Sequence, residues 1–261
     1  MSLRIATWNI NGVKARQGAL EAWLKQHSPD IVCVQEIKSV DDAFPRAEIE
    51  ALGYNVETHG QKGFNGVAIF SKLKFDEVTR GLPGDASDEQ ARLIEGVFSV
   101  DGGVVRVCNI YLPNGNPVGS EKFPYKLAWM DRLIAFVEER LAYEEPFILL
   151  GDYNIIPAAI DAKRPDAWVG DALYRPESAA KWRALLNLGM TDALRALTDE
   201  PSYTFWDFKT FGWDRDDGIR IDHLLLSPQA ADRLEDVYVH REVRGGEKPS
   251  DHVPVEGTFT L

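Results

Sequence analysis

The chain has 261 residues, of which 44% are hydrophobic and 27% charged, and its formal net charge is −12 at pH 7. This composition is that of a soluble globular protein with a substantial core, and no uncharged apolar run reaches the roughly 18 residues that a transmembrane helix requires. The acidic balance argues against a protein that binds nucleic acid through bulk positive charge. It weakly favours carboxylates gathered around a divalent cation.

Cysteine usage and the N-terminus predict a cytoplasmic location, with access to the nucleoid. Cys33 and Cys108 lie within apolar, strand-like runs. Such positions are typical of small core side chains in a reducing compartment, and not of a disulfide pair or a metal site. Residues 1–9 lack a charged segment followed by an apolar one, so no export signal is predicted.

The first 36 residues predict a β-α-β unit. Apolar runs over 3–8 and 30–34 are typical of strands, and apolar residues at helical spacing predict a helix over 13–26. The two strands of such a unit are parallel. Asn9 and Glu36, which follow the two strands, are therefore expected at the same end of one sheet.

The rest of the chain predicts a mixed α/β fold. Further strands are predicted over residues 54–58, 66–71, 75–80, 93–100, 104–111, 146–150, 219–227 and 253–259. Helices are predicted over residues 45–52, 121–143, 177–188 and 192–197, and a long surface loop over 161–175. The Gly102-Gly103 turn is typical of a hairpin, and a hairpin beside a β-α-β unit indicates a mixed sheet. No repeat or linker interrupts the chain, so a single domain over 1–261 is predicted.

Polar side chains recur at the ends of the predicted strands. Asp152 and Asn154 follow the apolar run over 146–150, and residues two apart on an extended segment point to the same side. A reaction site and a simple Asx-type turn are equally good interpretations of this pair alone. The whole set comprises Asn9, Glu36, Tyr111, Asp152, Asn154, Asp222, Asp251 and His252.

This set has the composition of a hard-cation site. Oxygen ligands with one imidazole suit Mg²⁺ or Mn²⁺ better than zinc, and such a site suits hydrolysis of a phosphoric ester. Asp222 lies inside a predicted strand, where a buried carboxylate requires a cationic or imidazole partner.

Residues 203–213 form a stretch with six aromatic side chains and Lys209 among them. Neither strand alternation nor helical spacing accommodates all six, so some are expected at the surface. Stacking on a nucleic acid is one interpretation of this stretch, and irregular core packing is the other.

Five strings occur in an order that resembles the endonuclease/exonuclease/phosphatase superfamily, which is DNase I-like. They are Trp8-Asn9-Ile10-Asn11-Gly12, Gln35-Glu36-Ile37-Lys38, Gly151-Asp152-Tyr153-Asn154, Arg220-Ile221-Asp222 and Ser250-Asp251-His252. More narrowly, the chain resembles the bacterial exonuclease III family of apurinic/apyrimidinic (AP) endonucleases, and the match extends over residues 3–260. Each string alone is a weak signal, whereas the ordered set is specific.

The resemblance implies a four-layer α/β sandwich, with two mixed β-sheets packed face to face and helices on the outside. It implies Mg²⁺-dependent cleavage of the phosphodiester 5′ to abasic sites in duplex DNA, with Mn²⁺ as a substitute. It also implies 3′-to-5′ exonuclease and 3′-phosphatase or phosphodiesterase activity. The implied partner is double-stranded DNA with abasic sites or blocked 3′ ends, bound by a monomer.

The resemblance also assigns roles to the metal and water ligands. Glu36 is implied as the principal metal ligand, with Asn9 and Asp251 nearby. Asp152 is implied to orient or deprotonate the attacking water, and Asn154 to help to position it. Both are also counted among the implied metal ligands.

For the phosphate, the resemblance implies a donor and its support. His252, held by Asp222, is implied to donate to a non-bridging phosphate oxygen and to stabilise the transition state. Tyr111 is implied to contact the same phosphate.

The implied DNA contacts are Asn11, Lys38, Lys62, Asn114, Phe205, Trp206, Trp213 and Ile219. Phe205, Trp206 and Ile219 correspond to positions that line a pocket for a flipped-out, baseless sugar. The family often has a bulkier side chain where Ile219 stands, which implies a looser pocket. The arginine that mammalian relatives have after the loop is absent from Asn116-Pro117.

Two alternatives remain open at the level of sequence. One is a superfamily phosphatase that acts on lipid or inositol phosphates. The other is a catalytically silent nucleic-acid-binding regulator of the same fold, which would lack metal and phosphate ligands that this chain retains.

Overall fold

The computed structural model describes residues 2–260, which form two six-stranded β-sheets with helices. The strands are β1 (Ser2–Asn9), β2 (Ile31–Gln35), β3 (Asn55–His59), β4 (Val67–Ser71), β5 (Glu77–Arg80), β6 (Leu93–Val100), β7 (Gly103–Tyr111), β8 (Phe147–Asp152), β9 (Thr191–Asp192), β10 (Asp222–Leu226), β11 (Leu234–Val239) and β12 (Val255–Thr260). The helices are α1 (Val13–His27), α2 (Arg46–Glu50), α3 (Lys122–Leu141), α4 (Pro176–Asn187), α5 (Ala193–Leu197) and α6 (Pro228–Ala231). Among these helices, none has the length and apolar character needed to span a bilayer.

Both sheets are mixed, and each contains a parallel pair. The first has the order β11-β12-β1-β2-β4-β3, and the second has the order β5-β6-β7-β8-β10-β9. In the first sheet β1 and β2 are parallel, and in the second β7 and β8 are parallel; the other described pairs are antiparallel. Parallel neighbours need a long crossover connection, and the crossovers here contain α1 and α3. The predicted β-α-β opening and mixed sheet are confirmed.

The two sheets pack face to face around one apolar layer. Alternation along a strand sends Ile5 of β1 into this layer, where it joins Leu150 of β8. Trp8 of β1 points the opposite way and packs with Trp23 of α1 in a separate outer cluster. Trp129 of α3 belongs to a third cluster, on the outer face of the second sheet. The predicted four-layer α/β sandwich is confirmed.

Two local differences from the sequence-based expectation have clear physical reasons. Strand β11 was not predicted, because it is an edge strand whose side chains are partly or fully exposed and whose apolar run, over 237–239, is only three residues long. The strand predicted over 219–227 begins only at Asp222. Its first residues are extended, but they bond to loops, since the Ile219 N–H donates to the Phe205 carbonyl at 3.0 Å.

Candidate active site

Strand ends from both sheets meet at one edge of the sandwich. Asn9 ends β1, Tyr111 ends β7 and Asp152 ends β8, while Asp222 begins β10, which runs antiparallel to β8. Tyr111 and Asp152 are direct partners in the parallel ladder, and so are Asp152 and Asp222 in the antiparallel one. Glu36 follows β2 by one residue. The topology therefore brings together polar groups that are far apart in the sequence.

The Glu36 carboxylate is held by three donors. Its Oε1 accepts from Asn9 Nδ2 at 3.0 Å and from the Tyr111 hydroxyl at 2.7 Å, and its Oε2 lies 3.0 Å from Lys38 Nζ. Burial opposes ionisation, but the Lys38 charge and these hydrogen bonds lower the pKa of Glu36 below its ordinary value. Burial, reinforced by Glu36, raises the pKa of the Tyr111 hydroxyl. Glu36 is thus an anion at neutral pH, and Tyr111 a hydrogen-bond donor.

Asn9 links this carboxylate to the second half of the site. Its Nδ2 also donates to Asp152 Oδ2 at 2.9 Å, and its Oδ1 accepts from the Asn11 N–H at 3.0 Å. Asn11 in turn donates through Nδ2 to Asp251 Oδ1 at 2.9 Å, while Lys38 donates to Asn11 Oδ1. Asn11 and Lys38, predicted as DNA contacts, are therefore part of the hydrogen-bonded site itself.

His252 stands between two carboxylates. Its Nδ1 lies 2.8 Å from Asp222 Oδ2, and its Nε2 lies 3.7 Å from Asp152 Oδ2. Thr204 Oγ1 donates to Asp222 at 2.6 Å and so orients the carboxylate that holds the imidazole. The imidazole partner that a buried Asp222 required is His252.

The same arrangement shifts two pKa values upward. Burial raises the pKa of Asp152, and the neighbouring Asp222 charge acts in the same direction while His252 opposes it. For His252, burial acts against the cation, yet the charges of Asp222 and Asp152 raise its pKa above the ordinary value. The imidazolium is the favoured form of His252 at neutral pH, so its Nε2 can donate a hydrogen bond into the cleft.

Asn154 is fixed at both ends of its side chain. Its backbone has a φ of 48°, its Nδ2 donates to the Leu112 carbonyl, and its Oδ1 accepts from Asn114 Nδ2, both at 2.9 Å. Its backbone N–H donates to Asp152 Oδ1 at 2.9 Å. This last hydrogen bond closes an Asx-type turn. The turn and the reaction site, which the sequence offered as two interpretations of this pair, therefore occur together.

Lys126 of α3 supports this corner from inside, and sequence analysis missed it. Its side chain is fully buried, and its Nζ donates to the carbonyls of Asn154 at 2.6 Å, Asn114 at 3.1 Å and Ala172 at 3.3 Å. Burial lowers its pKa to about 7. The signal was available, since Lys126 lies on the same apolar stripe as Phe123 and Trp129.

The predicted DNA contacts differ in exposure. Lys62 and Asn114 are exposed, and Phe205 is partly buried with its ring centroid 4.9 Å from that of His252. Trp206 is 0% exposed and Ile219 is 1% exposed. The Trp206 ring packs beneath Trp213 with the ring centroids 5.0 Å apart, so the predicted contact of Trp206 with DNA stays a prediction.

Some members of the 203–213 aromatic stretch do lie at the surface, as the sequence indicated. Phe208 is 39% exposed and Phe211 is 70% exposed, while Trp213 is partly buried. The guanidinium of Arg244 lies 4.7 Å from the ring centroid of Phe208. No local pattern distinguishes these two phenylalanines from the other aromatic residues of the stretch.

Known proteins are similar to this chain over most of its length. A family model described as "Endonuclease/Exonuclease/phosphatase family" matches residues 6–252. Exodeoxyribonuclease III of Haemophilus influenzae is 36% identical, over 98% of this chain and 100% of the relative. A 3′ phosphatase from Neisseria, solved with a product DNA hairpin, is 38% identical with a TM-score of 0.95, over 99% of this chain and 100% of that one. An AP endonuclease from Archaeoglobus fulgidus is 35% identical with a TM-score of 0.93 and the same coverage.

Proposed function

The chain belongs to the endonuclease/exonuclease/phosphatase family, and we propose that it is a DNA-repair hydrolase that cleaves the phosphodiester 5′ to abasic sites in duplex DNA. The same site would act on 3′ ends, as a 3′-to-5′ exonuclease and as a 3′-phosphatase or phosphodiesterase. One observation supports this most strongly: Asn9 joins Glu36 to Asp152, and Asp152 faces His252, all at one edge of the sandwich.

Family members of this kind require a divalent cation, and the donor set here fits one. Glu36, Asn9 and Asp251 offer carboxylate and amide oxygens, which are the ligands that Mg²⁺ and Mn²⁺ take in proteins. These three residues would hold the ion, with Asp152 and Asn154 at its edge. Such an ion neutralises charge on the phosphate and favours formation of hydroxide from water. Mg²⁺ is the cation that we propose for the cell.

Asp152 and Asn154 would manage the attacking water. Asp152 Oδ2 accepts from Asn9 and faces His252 Nε2, so this carboxylate is oriented toward the reacting centre. Its pKa, raised by burial, brings it closer to the range in which a general base accepts a proton at neutral pH. Asn154, whose side chain is held by Leu112 and Asn114, would help to position the same water.

His252 and Tyr111 would stabilise the phosphate as negative charge develops. Asp222 occupies Nδ1 of His252, which leaves Nε2 to donate to a non-bridging oxygen. The Tyr111 hydroxyl is held at Glu36 and would contact the same phosphate. Preorganised donors of this kind typically contribute about 10²–10³-fold each to kcat.

The pocket for a baseless sugar would be formed by Phe205 next to His252. Isolated bridges connect Phe205 to both Ile219 and His252, so its partly exposed ring is held at the cleft. Trp206 and Ile219 would support the pocket from below. Lys62 and Asn114 would contact the DNA backbone, and Trp213 a groove. Such a pocket selects by shape, because an intact base would not fit.

The deciding experiment compares four labelled duplexes: one with a single abasic-site analogue, one intact, one with a 3′-phosphate and one with a 3′-hydroxyl. Each is incubated with Mg²⁺, with Mn²⁺ and with EDTA, using the wild type and Glu36→Gln. The proposal expects a metal-dependent nick 5′ to the lesion that Glu36→Gln abolishes. Because the Neisseria neighbour is a 3′ phosphatase, reaction at 3′ ends alone would keep the hydrolase and remove the abasic-site pocket.

The same assay addresses the two other candidates. Hydrolysis of an inositol phosphate in preference to every duplex would identify a superfamily phosphatase. DNA binding with no turnover under either metal would contradict the proposal and identify a silent regulator.

A further inference from the structure

A second cluster of metal-ligand side chains lies where the end of α1 meets the turn after β11. It contains His27, the last residue of α1, His240, which follows β11, and Glu242 in the short turn over Arg241–Gly245. One ring nitrogen of each histidine and one carboxylate oxygen of Glu242 lie within 4.8 Å of one another. None of these three residues belongs to the site around Glu36.

The orientation of His240 is set from behind by a carboxylate. The ring is 3% exposed, and its Nε2 faces Glu256 Oε2 of β12 at 3.4 Å. The other oxygen of Glu256 accepts from Arg4 Nε at 2.6 Å, so the carboxylate is fixed and its charge is balanced. Neither His240 Nε2 nor Glu256 Oε2, both buried, has a hydrogen-bond partner among the residues that the structure describes. A carboxylate behind an imidazole supports a metal-binding histidine by taking the proton on its side when the other nitrogen coordinates.

The other nitrogen of His240 faces a second carboxylate. Nδ1 lies 3.3 Å from Glu242 Oε1, a separation at which the two atoms share either a proton or a cation. The 3.3 Å separation is also close to that of two ligand atoms on a tetrahedral ion with bonds of about 2.0–2.2 Å.

His27 completes the group from the end of α1. Its ring stacks on Trp23, with centroids 5.5 Å apart and planes 28° apart, and it makes an edge contact with His240 at 4.5 Å. A cavity of about 550 Å³ is lined by His27, Glu242 and Trp23, and it provides an entry path from solvent.

We propose that His27, His240 and Glu242 form a second metal site, selective for a borderline transition-metal cation such as Zn²⁺. Two imidazole nitrogens with one carboxylate oxygen are a zinc-type donor set, whereas Mg²⁺ prefers oxygen alone. The bound ion ties the end of α1 to the turn that leads toward Asp251 and His252. Its role is structural, and it is independent of the reaction proposed for the first site.

The test uses the chelator-treated full-length chain titrated with Co²⁺, whose visible absorption is intense in low-coordinate nitrogen-containing sites and weak in octahedral oxygen sites. The wild type, Glu36→Gln and His59→Gln are expected to show one equivalent of the intense bands. His27→Gln and Glu242→Gln are expected to bind at least about 10-fold more weakly, since each loses a proposed ligand and loss of an outer-shell partner alone typically costs about 10–100-fold. Zn²⁺ is expected to displace Co²⁺ and to raise the Tm of the first three proteins only.

The two ligand variants, His27→Gln and Glu242→Gln, are expected to fold normally, so a loss of Co²⁺ binding can be assigned to the lost ligand. Their circular dichroism and their DNA cleavage with Mg²⁺ are expected to match the wild type, since neither residue belongs to the first site. Absence of intense bands in the wild type would overturn the proposal, and a proton between His240 and Glu242 would then explain the cluster. Equal Co²⁺ affinity in the wild type and His27→Gln would also overturn it.

Discussion

His252, Asp222 and Asp152 show how neighbours decide the chemistry of individual residues. Asp222 and Asp152 hold a proton on the imidazole, and burial with the Asp222 charge makes Asp152 easier to protonate than an ordinary aspartate. The residue types alone do not show which nitrogen of His252 can donate to a substrate. Nδ1 is taken by Asp222 at 2.8 Å, whereas Nε2 lies 3.7 Å from Asp152, so only Nε2 is available to the cleft.

His252→Asn is expected to lower kcat at least ~100-fold, because it removes a donor to the developing phosphate charge. DNA affinity is expected to change little. Single-turnover cleavage with the metal present measures the rate, and fluorescence anisotropy with the metal withheld measures the DNA affinity. A His252→Asn variant with near-normal kcat would remove His252 from the chemistry.

Asp152→Asn should give a comparable loss of rate in a folded protein, since only a charge changes.

Lys126→Met is expected to lower the free energy of unfolding by about 2 to 3 kcal/mol, because it leaves the buried Asn154 carbonyl without a donor and removes the hydrogen bonds to the carbonyls of Asn114 and Ala172. Urea denaturation measures this change. A fall in kcat should accompany it, because Asn154 loses its support, while Lys126→Arg should not fully restore either value in so closely packed a site. Lys122→Met on the exposed face of the same helix is the matched control and should change stability by less than about 0.5 kcal/mol.

At the scale of elements, the close approach of β7 and β8 depends on one glycine. Gly151 has a φ of 146°, and a Cβ there would lie 1.9 Å from the Ile110 carbonyl oxygen of the neighbouring strand. No rotation of a side chain relieves this contact, because the backbone fixes the position of the Cβ and the Ile110 oxygen is itself a backbone atom. The ladder that aligns Tyr111 with Asp152 therefore requires glycine at this position.

Gly151→Ala is expected to destabilise the protein by at least about 3 kcal/mol, through backbone displacement in the centre of the second sheet. Gly18→Ala in α1 provides the opposite control, since a Cβ at Gly18 meets nothing within 4 Å. That change should stabilise the protein by about 0.5–1 kcal/mol, the helix preference for alanine. Thermal unfolding monitored by circular dichroism measures both. Equal stability of the two variants would contradict the role of Gly151.

At the scale of the whole molecule, stability at acidic pH depends on a histidine, His223, that is buried as a neutral group. His223 of β10 is 1% exposed, lies between Tyr153 and Trp182, and contacts the Ile155 carbonyl at 3.0 Å. Burial, with the nearby Arg220 charge, lowers its pKa to about 4. The unfolded chain binds this proton near pH ~6.5, so it holds more protons than the folded chain between these values.

The protein is therefore expected to lose stability as pH falls from about 6.5 to about 4, with up to about 3 kcal/mol of the loss due to His223. Urea denaturation of the wild type and His223→Gln at pH 7, 5.5 and 4.5 isolates this contribution. At pH 7 the two proteins differ only by packing. On acidification the variant should lose less stability than the wild type, and parallel pH profiles would show that His223 does not carry the effect.

Local pattern was sufficient for much of the fold. The apolar runs of β1, β2 and β8 and the amphipathic spacing of α1 and α3 are properties of consecutive residues, so the sequence alone identified these elements and the polar groups at their ends. The four-layer architecture was predicted from the family resemblance of the five ordered sequence strings. The edge strand β11 was missed, because half-exposed residues with charges have no distinctive local pattern.

The partners of each polar group depended on tertiary structure, because hydrogen bonds and burial join residues that are distant in sequence. Sequence placed Asp222 and His252 in one site, but the contact with Thr204, the depth of Trp206 and the role of Lys126 beneath Asn154 follow from packing. A helix end and a turn that are more than 200 residues apart in the sequence meet in the cluster of His27, His240 and Glu242. No local pattern encodes such a distance, so only the folded chain brings these ligands together.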